Sequence, residues 1–184
     1  MVILADSHHT ELFAHLSATS FASGPEYLKA ARLALVRLLA DPALLENVRL
    51  ERVPGGYTRN LVFGDARITV YAIVWSAGSQ TSIHDHHCSC CFAMLSGALE
   101  ESWYERVDEA HGVVSRTFTR SAGEIACMLP TGPNLHRMAN TSGEEAISLH
   151  IYGYDHRTRA SSIDREYLAL KPANRALAKA FPGR

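Results

Sequence analysis

Between residues 49 and 152 the chain alternates short apolar, β-branched runs with turn residues, and no helical stretch interrupts them. Glycines and small polar residues mark the turns, as at Gly64-Asp65 and Ser96-Gly97. Many short strands at close spacing, without helices between them, predict a β-sandwich or β-barrel. The predicted strands are residues 58–63, 68–75, 91–95, 98–105, 113–119, 123–128 and 146–152.

The first 48 residues have a different pattern of apolar residues, which predicts a helical N-terminal cap. Gly24-Pro25 opens a run at 26–40 whose leucines and alanines recur at roughly helical spacing. Asp41-Pro42 ends this run, and a short helical turn is expected at 43–48.

The chain shows no repeat, linker or low-complexity tract, so residues 1–184 are expected to form a single domain. In this division the helical cap is 1–48, the barrel is 49–155, and a C-terminal extension of 156–184 carries a short helix at 173–180.

Composition excludes several classes of partner. A net charge of -1 argues against broad electrostatic binding to nucleic acid or to an anionic membrane. No signal peptide or membrane-length apolar run is readable, which predicts a cytoplasmic protein. In that compartment the four cysteines (Cys88, Cys90, Cys91 and Cys127) are expected to be reduced thiols.

Three histidines have the spacing of a metal site. Residues i and i+2 of a strand point to the same face, so His84 and His86 can aim at one point while Asp85 points away. His136, from a distant strand, would complete a face of three imidazoles. Such a face leaves coordination positions open, as a catalytic metal requires.

A rival metal site would use Cys88, Cys90 and Cys91 with His87, which is a soft ligand set suited to zinc. Its spacing is poor, because adjacent strand residues face opposite sides and no second C-x-x-C is present. Cysteines that mostly pack as small apolar residues are the preferred interpretation.

The spacing around these histidines resembles the paired motifs of the cupin superfamily of small, jelly-roll-like β-barrels. Gly78 precedes His84 and Gly97 follows His86, while Pro130, Gly132, His136 and Asn140 form P-x-G-x3-H-x3-N. The glutamate that usually follows the second histidine is absent, and Cys90 and Cys91 stand there instead. The longer pattern resembles the cysteine dioxygenase branch through the segments 57–62, 82–86 with Cys91-Phe92, 135–140 and 148–152.

This resemblance implies one iron(II) ion, Fe(2+), bound by His84, His86 and His136. Three neutral ligands leave the positive charge of the iron uncompensated, which favours an anionic thiolate as a further ligand. The implied reaction is the oxidation of a small carboxylated thiol by O2 to its sulfinate, with L-cysteine as the first candidate.

The resemblance also implies roles for residues around the iron. Arg59 is the expected anchor for the substrate carboxylate, with Tyr57 on the same face of its strand. The alternating residues Ser148, His150 and Tyr152 resemble the family's hydrogen-bonded relay, in which the tyrosine approaches the bound ligands.

Some family members link this tyrosine to a cysteine through a thioether. Counting forward from His86 selects Cys91, which is our expectation, whereas counting back from Gly97 selects Cys90 because this chain is one residue shorter there.

Alternatives to L-cysteine stay open. Arg157 or Arg159 can serve a second carboxylate, which would favour mercaptosuccinate, and 3-mercaptopropionate is a further candidate. From another class, a non-catalytic cupin that binds a metal or small acid is possible, as is a cupin isomerase with manganese or nickel. The sequence predicts no oligomeric state.

Overall fold

A computed structural model describes residues 7–19, 24–41, 48–108, 111–167 and 171–172. In this part of the chain two helices, α1 (Ser7–Thr19) and α2 (Gly24–Leu39), precede all of the strands. The strands are β1 (Tyr57–Gly64), β2 (Thr69–Trp75), β3 (His84–His86), β4 (Cys90–Ser96), β5 (Ala98–Arg106), β6 (His111–Ser121), β7 (Ile125–Met128), β8 (His136–Ala139), β9 (Ala146–Tyr152), β10 (Ile163–Glu166) and β11 (Lys171–Pro172).

The strands form two sheets. One has five strands in the order β1-β2-β9-β4-β7, and the other has six in the order β10-β3-β8-β5-β6-β11. The predicted mainly β fold with N-terminal helices is confirmed. Among the described residues the sheets do not close into one barrel, because backbone pairing stops at the outer strands of each sheet.

The central strands of the five-stranded sheet, β2, β9 and β4, are mostly buried on both faces. On β9, Leu149 and Ile151 face outward and pack in one apolar cluster with Ala31 and Leu35 of α2. This arrangement accounts for the apolar stripe of α2, since burying one leucine side chain stabilises the fold by about 1.5–3 kcal/mol. The alternate residues of β9 therefore face inward, toward the second sheet.

The space between the sheets has an apolar part and a polar part. A second apolar cluster fills one part of it: Ile73, Trp75, Phe92, Met94, Leu99, Met138 and Ala146. The inward histidines of β3, β8 and β9 are buried beside this cluster. The apolar residues thus hold the two sheets at the separation that the polar site requires.

The tight connection between β4 and β5 depends on Gly97, and we predict that G97A destabilises the fold. Its φ of 68° lies in the left-handed region, and an added Cβ would be 2.8 Å from the Cβ of Ala146. Backbone strain and crowding together should lower the free energy of unfolding by about 2–5 kcal/mol, measured by urea denaturation.

Gly123 supplies the matched control for this prediction. Its φ is 87°, but an added Cβ would meet no atom within 4 Å. G123A should therefore lower the free energy of unfolding only by the cost of backbone strain, about 1–2 kcal/mol. Equal losses in the two variants would mean that the close approach of Gly97 to Ala146 contributes nothing.

The seven strands predicted from periodicity are confirmed, with ends that differ by at most two residues. The helix predicted at 26–40 is confirmed as α2. The predicted turn at 43–48 lies almost wholly outside the described residues, as does the helix at 173–180. Neither helix of the described part is long and apolar enough to cross a membrane. The single-domain organisation stays a prediction.

Candidate metal centre

Three histidines meet between the sheets. His84 and His86 lie on β3, and the register of β3 with β8 places His136 directly opposite His84. All three side chains are at most 5% exposed. One nitrogen from each lies within 4.8 Å of the others, which makes this a group able to hold a metal ion.

The other nitrogen of each ring has an oxygen partner. Nδ1 of His84 lies 3.0 Å from the carbonyl oxygen of Ser82, and Nδ1 of His86 lies 3.3 Å from that of Ser162. These carbonyls can only accept, so each Nδ1 carries the proton and donates it. The Nε2 atoms are then left bare, which is the state that a metal ligand needs.

Burial keeps the imidazoles of His84 and His86 neutral. Burial, followed by the nearby His136, lowers the pKa of His84 to about 4. The same two causes, with His84 in addition, hold the pKa of His86 well below its ordinary value. Neutral imidazoles are the competent ligand form, so the residues present fit a metal held by three histidines.

Asp85 points away from this group, as strand alternation predicts. Its carboxylate accepts hydrogen bonds from the backbone N–H of Arg165 and from the hydroxyl of Tyr167, both at 2.8 Å. These contacts attach β10 to β3. Asp85 therefore supports the strand that carries the histidines and is not a ligand.

The relay residues predicted on β9 form a connected chain. Ser148 Oγ is 2.8 Å from His150 Nε2, and His150 Nδ1 is 3.1 Å from the hydroxyl of Tyr152. Trp75 Nε1 donates to Ser148 Oγ at 2.8 Å and extends the chain. The ring of Phe92 stacks on His150 with centroids 5.0 Å apart, which fixes the plane of the imidazole.

Burial sets the ionisation of this relay. It lowers the pKa of His150 to about 3, with a smaller contribution from His136. It also raises the pKa of Tyr152 well above its ordinary value, with Cys90 and Cys88 acting in the same direction. At neutral pH the relay is therefore a neutral imidazole that holds a neutral phenol.

The prediction that Cys91 reaches Tyr152 is wrong. Cys91 faces the helices, where it forms a disulfide with Cys127 and packs in the apolar cluster of α2. Cys90 is instead the register partner of Tyr152, and its buried thiol contacts the phenol. Adjacent residues of a strand face opposite sides, so the one-residue shortening before Gly97 exchanges the two cysteines.

The redox states of the four cysteines differ in part from the prediction. Cys88 and Cys90 are reduced thiols, as predicted, whereas the prediction of reduced thiols was wrong for Cys91 and Cys127, which are bonded to each other.

In the part of the chain that the structure describes, the three histidines are the only group of three or more candidate metal ligands. The rival zinc site is therefore not formed, because Cys91 turns away and His87 Nε2 is 3.0 Å from the carbonyl oxygen of Ser161.

A small cavity of about 40 Å³ connects the histidines with the other predicted site residues. A water molecule needs about 10–15 Å³ by the same measure, so the cavity has room for a few small groups. Arg59, Tyr57, Cys90, His150 and Tyr152 line it together with the three histidines. The predicted site residues other than Ser148 and Cys91 thus share one cavity.

Arg59 stands at the mouth of this cavity. It is exposed, its guanidinium lies 5.7 Å from the ring centre of Tyr71, and its Nη1 is 3.5 Å from Ser161 Oγ. Tyr57 stacks on Trp75 with ring centroids 4.9 Å apart. Because Arg59 lines the cavity and a guanidinium carries five N–H donors, it can bind a carboxylate there.

The two arginines considered for a second carboxylate lie elsewhere. Arg157 forms two hydrogen bonds with Asp155, both 2.9 Å, and its side chain is 60% exposed. Arg159 is also exposed. Both residues belong to the described part of the chain, and neither lines the cavity.

Sequence reasoning missed three residues that act on this site. Trp75 holds Ser148, Asn134 donates to the carbonyl oxygen of His86 at 2.6 Å, and Glu101 contacts His136. Of the three, only Glu101 could have been found from the sequence. It alternates with Leu99 and Trp103 on β5, so the period of two places this acidic residue on the inward face of the strand.

Solved structures with a related chain path include a double-stranded β-helix protein from Klebsiella pneumoniae, with a TM-score of 0.47 and 19% identity over 58% of this chain and 79% of that one. A cupin from Shewanella frigidimarina has a TM-score of 0.48 and 14% identity over 61% of this chain and 89% of that one.

Among sequence relatives, cysteine dioxygenase type 1 of Rattus norvegicus is 36% identical over 100 residues, and that of Homo sapiens is 37% identical over 100 residues. Each match covers 52% of this chain and 50% of the relative, so the chain spans about half the length of these curated relatives. The family model for cysteine dioxygenase type I matches residues 50–161, which is more than half of the chain and includes all three histidines. The chain belongs to the cysteine dioxygenase type I family.

Proposed function

We propose that this protein is an iron(II)-dependent thiol dioxygenase that oxidises a small carboxylated thiol to its sulfinate, with L-cysteine as the first candidate. The observation that carries the proposal is the convergence of His84, His86 and His136 in a cavity that Arg59 and Tyr152 also line. The chain's family supports the same reaction. A cytoplasmic location is part of this proposal.

Iron(II) bound by the three histidines would supply the open positions at which a thiolate and dioxygen meet. The protein's own residues then position the substrate. Arg59 binds the carboxylate through the planar pair of N–H donors of its guanidinium, whose geometry matches the two carboxylate oxygens. Tyr152, held by His150 and Ser148, presents a neutral hydroxyl that donates one hydrogen bond to the reacting groups.

The size and charge of the cavity favour a small monocarboxylic thiol. A volume of about 40 Å³ suits a small substrate. Arg59 is the cation that lines the cavity in the described part, and Arg157 is already paired with Asp155. L-cysteine and 3-mercaptopropionate fit this description better than mercaptosuccinate, whose second carboxylate would have no cationic partner.

Oxygen uptake with a panel of thiols tests the proposed function. Iron-loaded protein should consume O2 with L-cysteine, 3-mercaptopropionate or mercaptosuccinate, with the highest kcat/KM for L-cysteine. The H136A variant, treated identically, supplies the background. Uptake no greater than this background across the panel would contradict the proposal. Tight binding of a thiol or acid without uptake would instead favour a non-catalytic binding protein.

Cys90, and not Cys91, is the cysteine that lies beside Tyr152. We propose that a thioether joins Cys90 Sγ to the ring of Tyr152, because these residues are register partners. The bond replaces an S–H and a ring C–H, and the two electrons and two protons pass to dioxygen. Protein aged with iron and thiol should therefore lose the mass of two hydrogen atoms, measured by intact-mass and peptide mass spectrometry.

Two matched variants test which cysteine is used. C90S should abolish the mass loss, whereas C91S should keep it because Cys91 faces the helices. Loss of the modification in C91S but not in C90S would overturn the assignment of Cys90.

A further inference from the structure

We propose that Glu101, held by Arg120, is a positioning residue that fixes His136 as a metal ligand and tightens metal binding at the three-histidine group. The inference rests on the proposed function, since it presumes that a metal binds there. It adds to the site a charged pair that the sequence motifs did not indicate.

Glu101 divides its two carboxylate oxygens between two partners. The residue lies on β5 and is 0% exposed. Its Oε1 lies 3.1 Å from Nδ1 of His136. Its Oε2 accepts two hydrogen bonds from Arg120, at 2.8 Å from Nε and 2.6 Å from Nη2. The carboxylate thus connects a metal-binding histidine to a cation.

This contact distinguishes His136 from the other two histidines. Nδ1 of His84 and Nδ1 of His86 have backbone carbonyl partners, whereas Nδ1 of His136 has a carboxylate. A carboxylate accepts a stronger hydrogen bond and makes the imidazole a more basic ligand. The proton is therefore held on Nδ1 of His136, and its bare Nε2 lies 3.1 Å from Nε2 of His86, toward the centre of the group.

Arg120 makes the buried carboxylate possible. An isolated carboxylate at this depth would be costly, and the guanidinium compensates its charge with two hydrogen bonds. The guanidinium also lies 4.4 Å from the ring centre of Phe118, which restricts its position. Trp103, the register partner of His136, covers the imidazole with ring centroids 5.5 Å apart. These contacts hold the carboxylate and the imidazole in one geometry.

The affinity for metal tests this role directly. Cobalt(II) and iron(II) dissociation constants are measured by competition with a chelator for wild type, E101Q, R120Q and E100Q. We expect E101Q to weaken binding by about 10–100-fold, the range seen when an outer partner of a ligand is lost. R120Q should weaken it in the same direction. E100Q is the matched control, because Glu100 is on the same strand but faces outward and pairs with Arg137, and its affinity should stay within about twofold of wild type.

The outcomes separate this inference from the proposed function. Wild-type affinity in E101Q, with binding abolished in H136A, would overturn the positioning role and leave the metal site intact. Wild-type affinity in H136A would contradict the metal site itself. Unchanged affinity in R120Q would remove Arg120 from the proposal.

A measurement on the unaltered protein does not depend on whether these variants fold. Nitrogen-15 NMR of metal-free wild-type protein should show the proton of His136 on Nδ1, with Nε2 bare. A proton on Nε2 of His136 would contradict the hydrogen bond to Glu101 and overturn the proposal.

Discussion

Replacing His86 by alanine is expected to lower the affinity for iron(II) by more than about 100-fold, beyond the loss expected for a residue that only supports a ligand. Thiol-dependent oxygen uptake should fall to the background, because two imidazoles cannot hold the ion in the same geometry. The ring of His86 lies beside the rings of both His84 and His136, so H86A removes one of the three ligands from the group. Metal content after dialysis and oxygen uptake measure the two effects.

His15 provides the matched control for this variant. It is an exposed residue of α1, and H15A removes an imidazole without touching the cavity. Iron content and uptake should stay at wild-type levels. If H86A retains stoichiometric iron and full uptake, His86 is not a ligand and the three-histidine site is wrong.

Replacing Arg59 by glutamine should raise the KM for L-cysteine by about 10–100-fold. Hydrogen bonds to charged groups contribute about 1.5–3 kcal/mol, and each 1.36 kcal/mol corresponds to a factor of ten. The exposed position of Arg59 at the mouth places the effect in the lower part of that range. Steady-state oxygen uptake at varied thiol concentration gives KM and kcat separately.

A thiol without a carboxylate shows whether this effect arises from charge recognition. Cysteamine lacks the carboxylate, so R59Q should change its kcat/KM by less than about twofold. R157Q is the control variant, because Arg157 pairs with Asp155 outside the cavity. An equal loss for L-cysteine and cysteamine in R59Q would mean that Arg59 supports the fold of the mouth and does not bind carboxylate.

Much of the fold is readable from local patterns. The apolar runs are long enough for their period of two to be seen, and the spacing of His84 and His86 indicates a shared strand face. The short strand β10 was missed, and the bounds of β8, the strand expected to carry His136, were not predicted, because four residues rich in polar groups carry no visible alternation. They form because their backbones pair with β3, which is a tertiary effect.

The site was less predictable wherever it depended on register. Cys90 and Cys91 differ by one position, and only the pairing of β4 with β9 decides which thiol meets Tyr152. Glu101 lies 35 residues from His136 in sequence, and Trp75 lies 73 residues from Ser148. Neither contact has a spacing rule, so each becomes visible only when the strands are assembled.

The most direct test of the central claim is the fate of labelled dioxygen. Iron-loaded wild-type protein is given L-cysteine under oxygen-18 gas, and the products are analysed by mass spectrometry with H136A in parallel. We predict a sulfinate in which both sulfur-bound oxygen atoms carry the label, formed by wild type and not by H136A. Formation of cystine with no sulfinate, formation of unlabelled sulfinate, or equal sulfinate from both proteins would contradict a thiol dioxygenase built on His84, His86 and His136.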